Sequence, residues 1–223
     1  VSLALAGARV FATGRRAERL RETAHAAEAL GAASGAVSPL PADITDPDSV
    51  AGAAAAIASR GVPLLALVNN AALPSPPAGP APLQDMGLDD WRRLVTTNVT
   101  GAWLVTRAAL PLLYETGAAR VIFVTCEAGW EDTPCVGHYN VSTSPFNSLA
   151  MSFAAEVAAR RPAVDAQINP LIPGEARTEM NQGSADSPFA IASMGLLLLS
   201  HGPDGPNGRF FHRDGRHVPF AYA

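Results

Sequence analysis

Pro63 to Asn69 reads PLLALVN, a run with no charge and no polar side chain before the closing Asn. A short apolar run of this kind marks a β-strand covered on both faces, the environment of a parallel sheet. Working toward the N-terminus, an Ala-rich helix is predicted over Thr45 to Ser59. A strand over Ala36 to Leu40 precedes it, then an Arg-rich helix from Ala17 to Leu30 and a strand over Ala8 to Thr13 (ARVFAT). Toward the C-terminus a long helix is predicted from Leu88 to Glu115, followed by a strand at Arg120 to Thr125 (RVIFVT). Next comes a helix with apolar residues at Val141, Phe146, Leu149, Phe153 and Val157, then a strand at Val164 to Asn169. Gly208 to Phe211 and His217 to Phe220 suggest a last short strand. Such alternation predicts an α/β fold, a doubly wound parallel sheet. The proline-rich stretch Pro74 to Pro82 (PSPPAGPAP) is read as a surface loop, because the alternation continues beyond it; residues 1–223 are then expected to form a single domain.

Composition narrows the function. Of the 223 residues 48% are hydrophobic and 16% charged, enough apolar material for a large core. The net charge is −4, no block of like charge occurs, and every basic residue is Arg. That balance argues against nucleic acid or an anionic membrane surface as a partner. The two cysteines, Cys126 and Cys135, make neither a disulfide scaffold nor a metal-ligand pattern, so no metal is expected and the setting is expected to be cytoplasmic. No apolar run reaches membrane-spanning length, and no basic segment with a cleavage site opens the chain.

Five short motifs then fall in a fixed order: Asp43 with Ile44 in PADIT, Asn69-Asn70-Ala71-Ala72, Asn98 in TTNVTG, Tyr139 in HYNVSTSPFNSLA, and Pro173-Gly174 followed by Thr178. In this order, and over essentially the whole chain, the sequence resembles the short-chain dehydrogenase/reductase family, with its Rossmann-like fold. The resemblance implies that Asp43 and Ile44 lie against the adenine of a nicotinamide dinucleotide, and that Asn70, Ala71 and Ala72 form the turn beside the cofactor. Pro173, Gly174 and Thr178 would face the nicotinamide carboxamide, while Asn98 and Tyr139 belong to the catalytic set. Arg15 and Arg16, just after the strand at Ala8 to Thr13, match a basic site for the 2′-phosphate of NADP, which implies NADP(H) as cofactor; the competing reading is a solvated helix start. Residues 174–190 correspond to the family's substrate lid.

The same resemblance exposes departures. Four residues after the Tyr, where the family has a Lys that lowers the phenol pKa and holds the ribose, stands Thr143. Thirteen residues before it, in place of the family's Ser, stands Cys126, a weaker hydrogen-bond donor. With a pKa of about 10, only ~0.1% of a Tyr is phenolate at pH 7, so much of the 10²–10⁴-fold that acid–base catalysis typically supplies should be lost. The chain opens at Val1 on what reads as the end of a first helix, without the Gly-rich turn that receives a pyrophosphate. The expectation is therefore an N-terminally truncated, catalytically degenerate member that lacks its first, central strand. Neighbouring strands lie about 4.8 Å apart, so that omission would open a slot roughly twice as wide.

Plainer readings stand beside these. Cys126 suits a small packing residue at a strand end. Cys135, His138, Glu127, Glu131 and Asp132 suit an ordinary polar loop before a helix, and His201, His212 and His217 have no metal spacing. Trp91 and Trp130 are read as packing residues. Three functions remain open. One is an oxidoreductase of a small carbonyl or alcohol substrate. Another is a non-catalytic subunit, in a homo-oligomer or paired with an active relative through the helices at Leu88–Glu115 and Tyr139–Ala159. The third is a non-redox enzyme, a dehydratase or cyclase, using Tyr139 and Cys126.

Overall fold

The computed structural model describes residues 1–74, 82–129, 137–178 and 183–219. Residues 75–81, Trp130, Glu131, Asp132, Cys135, the middle of the lid region and Phe220 lie outside that set. By backbone contacts the chain divides into two compact units, Val1–Val62 and Pro63–Ala223.

The first unit runs from α1 (Ser2–Leu5) to β1 (Val10–Gly14), α2 (Ala17–Ala29), β2 (Val37–Pro41) and α3 (Pro47–Ala58). Strands β1 and β2 are parallel, in register from Val10 opposite Val37 to Gly14 opposite Pro41. Pro39 and Pro41 cannot donate to a ladder, which suits β2 to an outer position. Asp46 caps α3 by accepting the Asp48 N–H at 3.0 Å, and Pro47 occupies the first turn, where its missing N–H costs nothing. The core here is built of small side chains: Ala4, Ala27 and Val37 are buried, with Val10 and Ala12 packed against them.

The second unit contains β3 (Ala66–Asn69), α4 (Leu88–Val95), a π-helical turn (Thr96–Gly101), α5 (Ala102–Tyr114), β4 (Ala118–Val124), α6 (Gly137–Arg160), β5 (Asp165–Ile172), α7 (Ala192–Ser200), β6 (Phe210–His212) and β7 (His217–Val218). The strands lie in the order β3-β4-β5-β6-β7; the first four are parallel and β7 turns back antiparallel. Alternation along β4 separates two cores. Ala119, Val121 and Phe123 pack with Leu113 of α5 and Phe146, Ala150 and Val157 of α6, and the Phe123 and Phe146 rings meet edge-on at 5.2 Å. Ile122 joins Leu171 and the Met194 and Leu198 side chains of α7 in the second cluster. At the start of β4, the buried Arg120 pairs with Asp165 and donates to its carbonyl at 2.7 Å.

After α7 the chain is fastened along β5 by amide side chains rather than by a continuous ladder. Gln167 Nε2 donates to the Gly202 carbonyl at 2.8 Å and Asn169 Nδ2 to the Pro206 carbonyl at 2.6 Å. Asn207 accepts the Ile168 N–H at 3.0 Å and donates to the Ala154 carbonyl at 3.0 Å. Buried backbone groups need partners, and these amides supply them.

Several expectations are corrected. The helix predicted over Leu88 to Glu115 is interrupted by the π turn. The strand expected from Pro63 begins only at Ala66, and it is not covered throughout: Leu65 is 65% and Val68 38% exposed. The reason is its place in the ladder, since β3 pairs with β4 alone among the described residues. The last strand is a hairpin turning at Asp214-Gly215, with Gly215 at φ +91°, a turn dipeptide suited to positive φ. Helix α7 escaped notice because Leu196 to Leu199 is apolar throughout, which masks the four-residue spacing of Met194 and Leu198.

Phe123, fully buried between α5 and α6, is expected to dominate the core. Phe123→Ala should cost about 3–5 kcal/mol in urea unfolding, whereas Leu197→Ala, on the exposed side of α7, should cost less than about 1 kcal/mol.

Candidate functional site

In a parallel sheet the chain leaves every strand at the same edge, and the candidate residues of the second unit follow the carboxyl ends of β3, β4 and β5. Asn69 ends β3 buried, its Nδ2 donating to Thr106 Oγ1 at 2.8 Å. Asn70, Ala71 and Ala72 follow as an exposed turn. Asn98, on the π turn, fixes where that turn ends: its Oδ1 accepts the Leu73 N–H at 2.7 Å, and its Nδ2 donates to the Leu73 carbonyl at 2.9 Å and to Ser142 Oγ at 3.1 Å. A π turn inserts an extra residue per turn and recurs at functional positions. Here it carries the amide that joins the β3 turn to α6.

Tyr139 lies in the first turn of α6. Its backbone carbonyl accepts from Ser142 Oγ at 2.9 Å and from Thr143 Oγ1 at 2.9 Å. The Thr143 hydroxyl is thus turned onto its own helix, a local bond typical of Thr in helices. The Tyr139 phenol is pushed up to about 12, first by burial and then by the neighbouring Cys126 thiol; hydrogen bonding by Thr143 offsets part of this. His138 beside it is buried, and burial lowers its pKa, which keeps the ring neutral at pH 7.

Cys126 follows β4, half-buried, on a turn that sequence reasoning left undefined. Two residues of α6 fasten that turn. Ser144 donates to the Gly129 carbonyl, and Asn147, bonded to Thr125, lies so close that a Cβ on Gly129 would stand 2.4 Å from its Nδ2. A side chain at position 129 would force the Asn147 amide to shift. The pairing of Gly129 with Asn147 has no signal in the sequence, because it depends on two elements meeting face to face.

Pro173-Gly174 follows β5. Gly174 has φ +62°, and the space of its absent side chain is bounded at 3.2 Å by the Arg213 guanidinium and His212 Nε2. Thr178 lies exposed beyond it.

The remaining candidates are in the first unit. The Asp43 carboxylate accepts the Thr45 N–H at 2.9 Å and the Thr45 hydroxyl at 2.7 Å; these bonds hold its pKa below the usual carboxylate value, with a smaller contribution from Arg15. Ile44 is half-buried, and Arg15 and Arg16 are exposed at the start of α2. Among the described residues no group of His, Cys, Asp or Glu is arranged to hold a metal ion, and no helix is long and apolar enough to cross a membrane.

Parallel strands, a buried Asn on an interrupted helix and a Tyr opening the next long helix define an α/β protein with a Rossmann-like parallel sheet. The family model for short chain dehydrogenases matches residues 1–188, running through both units. The chain belongs to that family. It is 30% identical to gluconate 5-dehydrogenase of Gluconobacter oxydans over 81% of this chain and 66% of that one. It is also 30% identical to the inactive 2-(S)-hydroxypropyl-CoM dehydrogenase 2 of Xanthobacter autotrophicus, over 70% of this chain and 64% of the relative. The chain spans from 34% to 66% of the length of these and other curated relatives. A crystal structure of an actinorhodin polyketide ketoreductase variant with NADPH superposes with a TM-score of 0.82 at 22% identity, over 95% of this chain and 88% of that one.

The raised phenol pKa has a consequence for stability. A native-state pKa near 12 against a free value near 10 means that native and unfolded chains carry the same proton below pH 10. Between pH 10 and 12 the unfolded chain releases it first, so stability falls. Tyr139→Phe should make the decline of Tm over that interval shallower and leave Tm near pH 7 within a few degrees.

Proposed function

We propose that this chain is an NADP(H)-dependent oxidoreductase of a small carbonyl or alcohol substrate, with Tyr139, a neutral phenol between turnovers, as the proton donor. The observation that carries this reading is the buried Asn98–Ser142–Tyr139 connection, which holds a phenol close to the Cys126 thiol at the carboxyl edge of the sheet. The adenosine end of the cofactor fits the first unit, where Asp43 is braced by Thr45 and the exposed Arg15 and Arg16 offer fixed positive charge for a 2′-phosphate. The exposed backbone of Asn70, Ala71 and Ala72, with Gly174 and Thr178, would line the nicotinamide end. NADPH in the polyketide ketoreductase structure is in keeping with this choice. A bound nicotinamide supplies hydride to a carbonyl carbon or takes it from a carbinol. In reduction Tyr139 would hydrogen-bond the substrate oxygen and give it the phenolic proton as charge develops there, the resulting phenolate being reprotonated from solvent. In oxidation the same group would have to take the proton back as a phenolate. Cys126 contributes at most a weak S–H contact to the same oxygen.

Taking a proton from an alcohol is the harder direction, since the phenolate is almost absent at neutral pH. Reduction is therefore expected to be insensitive to pH from 6 to 9, and oxidation to rise with pH throughout that range.

A second reading is a catalytically silent subunit. It is favoured by Thr143, which stands where the family has a Lys and whose hydroxyl bonds the Tyr139 carbonyl; among the described residues no cation contributes to the shift of the phenol. A relative carrying the word inactive in its name is consistent with such decay.

Fluorescence titration with NADPH, followed by assays on a panel of aldehydes and ketones, tests the first reading. Thr143→Lys combined with Cys126→Ser should raise reductase kcat/KM on the order of 10²-fold. NADPH binding with no turnover in either protein would favour the silent subunit, and co-purification with an intact family member would then be the decisive assay.

A further inference from the structure

The segment that follows Pro173-Gly174 is tied at both ends to one side chain on a different element. Arg213, in the turn between β6 and β7, donates from Nη1 to the Glu175 carbonyl at 2.7 Å and forms an ion pair through Nη2 with Asp186. The two ends also meet directly, the Arg177 N–H donating to the Asp186 carbonyl at 2.8 Å. Arg213 is itself held, since its N–H donates to the Ile172 carbonyl at 2.9 Å, one residue beyond the β5–β6 ladder. A Cβ at position 174 would stand 3.2 Å from its guanidinium, so the two pack closely. A planar fork of donors can serve a carbonyl and a carboxylate at once, which a single ammonium cannot do with the same geometry.

We propose that Arg213 is a positioning residue: it closes the neck of the loop between Glu175 and Asp186 and so fixes Thr178 beside the end of β5. The arginine lies 35 residues after Thr178 and belongs to none of the motifs by which the family was recognised. The part of this proposal that concerns cofactor affinity rests on the oxidoreductase reading; the part that concerns the loop does not.

Trypsin provides the test, because Arg177 is exposed within the neck and the chain has no lysine to complicate the digest. Cleavage after Arg177 is followed by mass spectrometry and compared with cleavage after Arg60, an exposed site in the other unit. Arg213→Gln should speed cleavage at Arg177 roughly five- to tenfold, as expected for losing one charge-assisted hydrogen bond and one half-exposed ion pair, with no change at Arg60. Asp186→Asn should reproduce a smaller part of that effect. The double variant should be no faster than Arg213→Gln alone, and Arg213→Lys should restore part of the protection. Equal acceleration at both sites, or an unchanged rate at Arg177, overturns the proposal. If Arg213→Gln does not fold, Asp186→Asn with intact Tm and unaltered Arg177 cleavage overturns it equally. In NADPH titrations Arg213→Gln should raise Kd several-fold. Absence of NADPH binding by the unaltered protein would count against the oxidoreductase reading, while the digest would still decide the role of Arg213.

Discussion

The second unit depends on the side-chain amide of Asn98. One group meets the turn after β3 through both the N–H and the carbonyl of Leu73 and meets α6 through Ser142. Each partner is buried or half-buried, so an apolar residue at position 98 would take away the bonds of both the Leu73 N–H and its carbonyl, together with one of the two bonds of Ser142. The π turn is the backbone's adjustment to this demand. It lets the long helix pass from α4 to α5 with the amide facing inward. The position of Tyr139 follows, because Ser142 carries the constraint to the Tyr139 carbonyl.

Much of this was legible in the sequence, for definable reasons. Parallel strands announce themselves as apolar runs: ALVN within PLLALVN and VIFV within RVIFVT are strands, and both stretches are uncharged apart from Arg120, whose charge is met by Asp165. The motif residues were legible because they are local: Asn98, Tyr139 and Pro173-Gly174 sit at fixed offsets from element ends. Three things were not legible. The exposure of Leu65 and Val68 depends on which strand lies alongside β3, which no window of sequence contains. The close approach of Gly129 to Asn147, and the bonding of Arg213 to Glu175 and Asp186, join residues 18 to 38 positions apart. The hairpin after β6 carried a readable Asp-Gly signal, but its two strands are so short that the flanking pattern suggested only one.

Around Tyr139 the motif residues keep their places while the chemistry beside the phenol departs from the family pattern. Position 143 keeps its place on α6 yet sends its hydroxyl back to the helix, and the thiol of Cys126 adds to burial in disfavouring the phenolate. Burial and Cys126 act on the phenolic proton in the same direction, and Thr143 offsets only part of their effect. On the proposed oxidoreductase reading, a neutral phenol remains a competent donor even when it is a poor acceptor, so Thr143 in place of a Lys would leave the reductive direction open and would hinder the return of the proton.

The fastening of the chain along β5 by Asn207 bears on how the protein ages. Asn207-Gly208 is the one Asn-Gly pair in the sequence, the dipeptide in which a backbone nitrogen most readily attacks the preceding amide and converts it to a succinimide. That nitrogen, on Gly208, donates to the Ile168 carbonyl at 2.9 Å, while both ends of the Asn207 amide are engaged by β5 and α6. The bonds that stand in for a strand ladder also hold the reacting atoms apart, and a fold assembled around this pair shelters its own most fragile covalent link.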